Sequence, residues 1–149
     1  MPVPGEDNRV WPILLMAGGA ILVTRAMVLI GGGSTERFVS WLAFLTWVEL
    51  ALAVAACASA AVWAWRPEPA NVTRTLKVAA SLTLLHAIRV AVFVVGRIGP
   101  FRDFDVRPEW RADHAGTWTW GEVWFAGLAA ALSLVVLVAV WRYRRAKRT

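Results

Sequence analysis

The sequence predicts an all-α integral membrane protein, an up-down-up-down bundle of four transmembrane helices. Its 149 residues are 58% hydrophobic and only 17% charged, whereas a soluble domain has about 45–50% apolar and about 25% charged residues. The apolar residues fall into four blocks, each long enough for a spanning helix of roughly 20 residues. Because four spans use most of the chain, we expect one membrane domain over residues 1–149.

The four predicted spans are separated by polar connections. They cover about residues 11–30, 38–65, 78–96 and 120–141. The glycine-rich connection after the first span is short, which makes the first two helices antiparallel neighbours. Pro67 and Pro69 end the second block, and we expect a loop over residues 66–77. Residues 97–119 form a longer polar outer loop, and residues 142–149 form a basic tail.

Small side chains dominate the later half of the second span, in the run ALAVAACASAA at residues 51–61. Gly127 and Ala131 form a small-xxx-small pair in the fourth span. In membranes such faces allow helix backbones to approach closely. We therefore expect tight packing of these faces, either within the bundle or against partner helices.

The positions of Lys and Arg predict the orientation of the chain. Nine of them flank the spans on the side of the two termini and five flank them on the other side. Since cytoplasmic loops carry the excess of Lys and Arg, we expect a multi-pass protein of the plasma (inner) membrane with both termini cytoplasmic. The net charge of +6 is thereby explained by topology, with the lipid bilayer as partner and no nucleic acid.

Most of the ten tryptophans lie near the predicted ends of the spans, as in the aromatic belts of membrane proteins. The cytoplasmic belt contains Trp11, Trp63, Trp65 and Trp141, and the outer belt contains Trp41, Trp118, Trp120 and Trp124. Trp47 is the exception, because it lies deeper and only two residues from Glu49.

Ionisable residues lie at a similar depth in three of the spans. Arg25, Glu49, His86 and Arg89 fall within about two helical turns of their span centres. A charged side chain there costs about 2.5–3.5 kcal/mol on insertion scales, so each needs a partner. We expect Glu49 to accept a charge-assisted hydrogen bond from Arg89 or Arg25.

Helical spacing extends this layer to a candidate site. His86 and Arg89 share one face with Thr83, and Thr46 lies one turn from Glu49. The predicted ligand or ion-pair cluster consists of Arg25, Thr46, Trp47, Glu49, Thr83, His86 and Arg89. Three interpretations stay open: the residues fix helix register, they line a pocket or proton path that opens outward, or Arg25 snorkels to the outer interface without taking part.

No motif indicates a reaction, a metal or a cofactor. Cys57 is the only cysteine, which excludes an intramolecular disulfide and a cysteine-based metal site. The acidic residues of the outer loop lack the ligand spacing of an EF-hand. His86 has no second histidine within a span to complete a bis-His haem site. We therefore expect no catalytic residues, no metal and no cofactor.

These patterns favour a non-catalytic protein, either an accessory or scaffold subunit or a binder of a lipid-like or quinone-like ligand. The first alternative is a small proton-coupled transporter or channel that uses Glu49, His86 and Arg89. The second is a membrane enzyme that acts on a lipid. We expect an oligomer if the chain is a transporter, and a homo-oligomer or a larger membrane complex is the candidate assembly for the other functions.

Overall fold

The regular secondary structure is helical. The computed structural model describes residues 9–96 and 99–114, together with single helical positions at 127, 131, 134, 138, 141 and 145. The elements are α1 (Val10–Gly31), α2 (Ser34–Arg37), α3 (Ser40–Trp65), α4 (Pro69–Val95) and α5 (Arg111–His114). Two 3-10 turns, Gly99–Phe101 and Pro108–Trp110, lie between α4 and α5.

Three of these helices are long and apolar enough to cross a membrane: α1, α3 and the Pro69–Val92 part of α4. The first two predicted spans match α1 and α3 to within two residues. The predicted fourth span (120–141) and the basic tail (142–149) lie outside the described residues, apart from the single helical positions.

The predicted start of the third span, near Val78, was wrong, because the helix α4 begins at Pro69. Only three residues, 66–68, separate it from α3, so the predicted loop over 66–77 is mostly helix. Proline is compatible with a first helical turn, where its missing N–H has no helical partner. Val72 and Leu76, one turn apart, are both buried, so packing stabilises the additional helical turns.

The core lies along α3, which packs against both α1 and α4. One cluster fills the end near the α3–α4 connection and joins Leu15, Ala60, Trp63, Val72, Leu76 and Ala79. A second cluster follows it along the bundle and joins Leu22, Ala53, Ala56 and Leu82. Trp63, which we expected in an interfacial belt, is only 6% exposed and belongs to the first cluster.

Helices α1 and α3 approach each other closely where both carry small residues. A Cβ atom on Gly19 would lie 2.5 Å from Cys57 Sγ and 3.3 Å from the Ala53 carbonyl oxygen. The Cys57 thiol lies 3.5 Å from the Met16 carbonyl oxygen, to which it donates. The small-residue run of the second span therefore provides the surface that α1 packs against.

The segment after α4 is tied to the junction between α2 and α3. Phe38 and Val106 form an antiparallel bridge, and Val39 N–H donates to the Asp105 carbonyl oxygen at 3.0 Å. Arg107 Nε donates to the Phe38 carbonyl oxygen at 2.9 Å. Because Phe38 is used in this bridge, α3 begins at Ser40, two residues later than predicted. The segment therefore closes this end of the bundle.

Candidate functional site

Glu49 lies on the buried stripe of α3. Thr46, Glu49, Ala53 and Ala56 follow one another at three- and four-residue intervals and are all buried. This spacing keeps their side chains on one helix face, which points between α1 and α4. Glu49 itself is 0% exposed. An unpaired carboxylate at such a position would carry a large desolvation cost, so its environment must supply donors.

Two arginines from different helices supply them. Arg25 of α1 donates from one terminal guanidinium nitrogen to Glu49 Oε1 at 2.7 Å. Arg89 of α4 donates to Glu49 Oε2 at 2.5 Å. The hydrogen bond expected from the sequence is thus present, and each carboxylate oxygen has its own arginine. We call this arrangement of Arg25, Glu49 and Arg89 the ion-pair bridge.

Thr46 lies beside the bridge and accepts a further hydrogen bond. Arg89 donates to Thr46 Oγ1 at 3.2 Å, while the same hydroxyl donates to the Leu42 carbonyl oxygen at 3.3 Å. The threonine is 1% exposed. Arg89 is therefore bonded to two side chains of α3, one helical turn apart, which orients its guanidinium.

His86 is buried beside the bridge. It is 1% exposed, and its Nε2 atom lies 3.9 Å from Glu49 Oε1, too far for a hydrogen bond. Among the described residues, Nε2 has no hydrogen-bond partner. The Nε2 atom of His86 thus has a hydrogen-bonding capacity that its described neighbours do not use.

The structure does not bring Trp47 and Thr83 into the cluster. Trp47 is 53% exposed, because a residue two positions from Glu49 points away from it on a helix. Thr83 donates to the Ala79 carbonyl oxygen of its own helix at 2.8 Å. Of the seven predicted site residues, the structure places Arg25, Thr46, Glu49, His86 and Arg89 together.

The bridge contains two guanidinium groups and one carboxylate, so it carries a net charge of +1 when Glu49 is ionised. The side chains of Arg25 and Arg89 keep 15% and 11% exposure, while Glu49 keeps none. Snorkelling of Arg25 away from the layer is therefore not observed. Arg89 precedes Gly96, the C-cap of α4, by about 10 Å along the helix axis, which places the bridge in that half of the bundle.

Sequence reasoning missed a groove between α3 and α4, near the connection between them. It has a volume of about 300 Å³ and is lined by Ala55, Ala58, Ser59, Val62, Asn71, Arg74 and Val78. Residues 66–77 were expected to form a loop, so Asn71 and Arg74 were not placed on a helix face. Their spacing with Val78, at three and four residues, was the available signal.

The described residues contain no group of three or more His, Cys, Asp or Glu side chains placed to hold a metal ion. Comparisons with protein-family models, with curated proteins and with solved structures found no match to this chain. The site must therefore be interpreted from its own geometry.

Proposed function

We propose that the chain is a non-catalytic scaffold or accessory subunit of the plasma membrane, built as a four-span bundle with both termini cytoplasmic. The observation that carries this proposal is the double pairing of Glu49, whose two carboxylate oxygens each accept a hydrogen bond from an arginine of the same chain. A carboxylate bonded in this way is engaged in holding helices together. Neither of its two oxygens is without a hydrogen bond, so neither is held ready to bind a substrate.

The energetics of buried charge support a structural role for the bridge. The attraction between two ions in a low-dielectric interior offsets the free-energy cost of their desolvation only when their geometry is good and their remaining hydrogen-bonding groups are satisfied. The bridge links one residue from each of three helices, so a register shift of any helix by one turn would separate the charges. The same charges that are costly to bury therefore select one arrangement of α1, α3 and α4.

Replacement of Glu49 tests this role. Glu49→Gln leaves two partly buried guanidinium groups without their counter-ion. Loss of one partner of a fully buried ion pair costs about 3–5 kcal/mol, which is the upper bound for this variant. We expect a lower midpoint of thermal unfolding for the purified protein and less of it recovered in assembled form. Glu68→Gln, at an exposed carboxylate in the α3–α4 connection, is the control. Stability of Glu49→Gln equal to that of the control would contradict the proposal.

His86 favours a second candidate, a small proton-coupled transporter. Its buried Nε2 atom has no partner among the described residues and lies 3.9 Å from a carboxylate oxygen. A proton taken up by either group from one side of the membrane would raise the charge of the layer by one, and transfer between the two groups would pass it on, as in the His and Glu proton relays of membrane transporters. Flux driven by a pH gradient in proteoliposomes, abolished by His86→Gln, would favour transport over a scaffold role. Absence of any such flux in the unmodified protein would exclude transport.

A further inference from the structure

The groove between α3 and α4 combines an apolar wall with few polar groups. Alanines and valines from both helices form most of its lining, and Ser59, Asn71 and Arg74 are the polar members. Its volume of about 300 Å³ is at the lower end of the range for small-ligand sites, about 300–1,000 Å³. A groove of this kind is suited to an elongated apolar group with one polar end.

The polar side chains of the groove differ in what they already bind. The Ser59 hydroxyl donates to the Ala56 carbonyl oxygen at 3.2 Å, and the Asn71 amide donates to the Arg66 carbonyl oxygen at 3.0 Å. Arg74 is exposed and has no hydrogen bond or ion pair with any described residue. Its five N–H donors are therefore available to a ligand.

The position of Arg74 along α4 corresponds to a membrane interface. Gly96 follows Arg74 by 22 residues, a rise of about 33 Å, and the hydrocarbon core of a bilayer is about 30 Å thick. If the end of α4 lies at one surface, Arg74 lies at the other. Val78, about 6 Å further along the helix, then lies inside the hydrocarbon layer.

The charge at this end of the bundle defines the polar end of the ligand. Arg66, Arg74 and Lys77 lie within twelve residues of sequence, and Glu68 is the single acid among them. All four residues are exposed. Basic residues at a membrane surface attract anionic lipid headgroups, and arginine binds phosphate oxygens in a bidentate manner.

We infer that the groove binds one acyl chain of an anionic phospholipid, whose phosphate contacts the guanidinium of Arg74. The acyl chain lies between Ala55, Ala58 and Val62 of α3 and Val78 of α4. Val78, the groove residue of α4 nearest to the bridge, lies about 16 Å from Arg89 along the helix axis, and Ala55 lies about 9 Å from Glu49 along α3. The groove therefore shares no residue with the ion-pair bridge. Its test is consequently independent of the proposed scaffold role.

Native mass spectrometry of the full chain, with phosphatidylglycerol or phosphatidylcholine added to the detergent, tests the site. We expect stronger retention of phosphatidylglycerol, and about a fivefold weaker apparent affinity for it in Arg74→Gln, the effect of one basic residue near a charged surface. Arg102→Gln is the matched control, because Arg102 is exposed at the opposite end of the bundle. Equal affinity in Arg74→Gln and the unmodified protein would overturn the inference.

A second variant tests the apolar part of the groove. Ala58→Phe places a ring where the acyl chain would lie, and we expect loss of retention of both lipids. Ala80→Phe, at an exposed position of α4 outside the groove, should retain them. Unchanged lipid retention in Ala58→Phe would overturn the inference. So would loss of a dimer in this variant, which would identify a second copy of the chain as the occupant of the groove.

Discussion

Arg25 and Glu49 are 24 residues apart in the sequence and lie on different helices, yet their side chains are joined by a hydrogen bond of 2.7 Å. The Glu49 side chain is fully buried, whereas the Arg25 side chain is 15% exposed. Because Glu49 also bonds Arg89, the loss of one arginine and the loss of the carboxylate have different consequences.

Arg25→Gln should destabilise the protein less than Glu49→Gln does. The arginine variant leaves Glu49 paired with Arg89, with no net charge, whereas the glutamate variant leaves two guanidinium groups facing each other. We expect Arg25→Gln to lose about 1.5–3 kcal/mol, the contribution of a hydrogen bond to a charged group. Unfolding in a denaturing detergent measures both values. The combined Arg25→Gln and Glu49→Gln protein should lose less than the sum of the two single variants, and a strictly additive result would contradict the bridge.

Gly19→Ala should weaken the packing of α1 on α3. The added methyl carbon would lie 2.5 Å from Cys57 Sγ and 3.3 Å from a backbone oxygen, so the Cys57 side chain must rotate and α1 must shift slightly away from α3. Overpacking of this kind costs about 1–3 kcal/mol. Gly31→Ala is the control, because a methyl group there meets no atom within 4 Å. Equal thermal unfolding midpoints for the two variants would show that the close approach does not contribute to stability.

His86→Leu separates the two candidate functions. Leucine removes a buried nitrogen that has no partner among the described residues, and the loss of an unsatisfied polar group carries no hydrogen-bond cost. For a scaffold, we expect the thermal stability and the assembly of His86→Leu to equal or exceed those of the unmodified protein. A fall in stability would indicate that His86 has a structural partner. For a transporter, flux driven by a pH gradient should disappear while stability is kept.

Arg107→Ala should release the segment at residues 99–114. Arg107 donates from its side chain to the Phe38 carbonyl oxygen and from its backbone to that of Arg37, and only the first bond is lost in the variant. Loss of a charged hydrogen bond of about 1.5 kcal/mol raises the open population about tenfold. Limited proteolysis should therefore cleave this segment about ten times faster. Arg102→Ala, at a side chain 66% exposed, should be cleaved at the rate of the unmodified protein.

The bridge could be predicted from the sequence because the cost of intramembrane charge leaves few solutions. Arg25, Glu49 and Arg89 were expected at one depth, and opposite charges at one depth must pair. Trp47 was included in the predicted site because it is close to Glu49 in the sequence. This reasoning was wrong, since side chains two residues apart point to different sides of a helix. Depth and helix face together select the cluster, and either one alone does not.

The start of α4 and the groove could not be predicted, for a related reason. Pro67 and Pro69 indicated a break, but a break three residues long was not distinguishable from a longer loop. The continuous hydrophobic run begins near Val78. The buried residues Val72 and Leu76 precede that run and alternate with Arg74 and Lys77, so the hydrophobic pattern did not indicate that they belong to the helix. Polar residues at a membrane surface are compatible with helix or loop, so tertiary packing decided between them.

The division of charge among the helices also has a consequence for biogenesis. Chains are synthesised from the N-terminus, so Arg25 and Glu49 emerge from the ribosome before Arg89. Helices α1 and α3 can therefore leave the insertion machinery as an electrically neutral hairpin. Arg89 then binds Glu49, whose charge is already neutralised by Arg25. The release of α4 into lipid therefore depends on the prior insertion of α1 and α3.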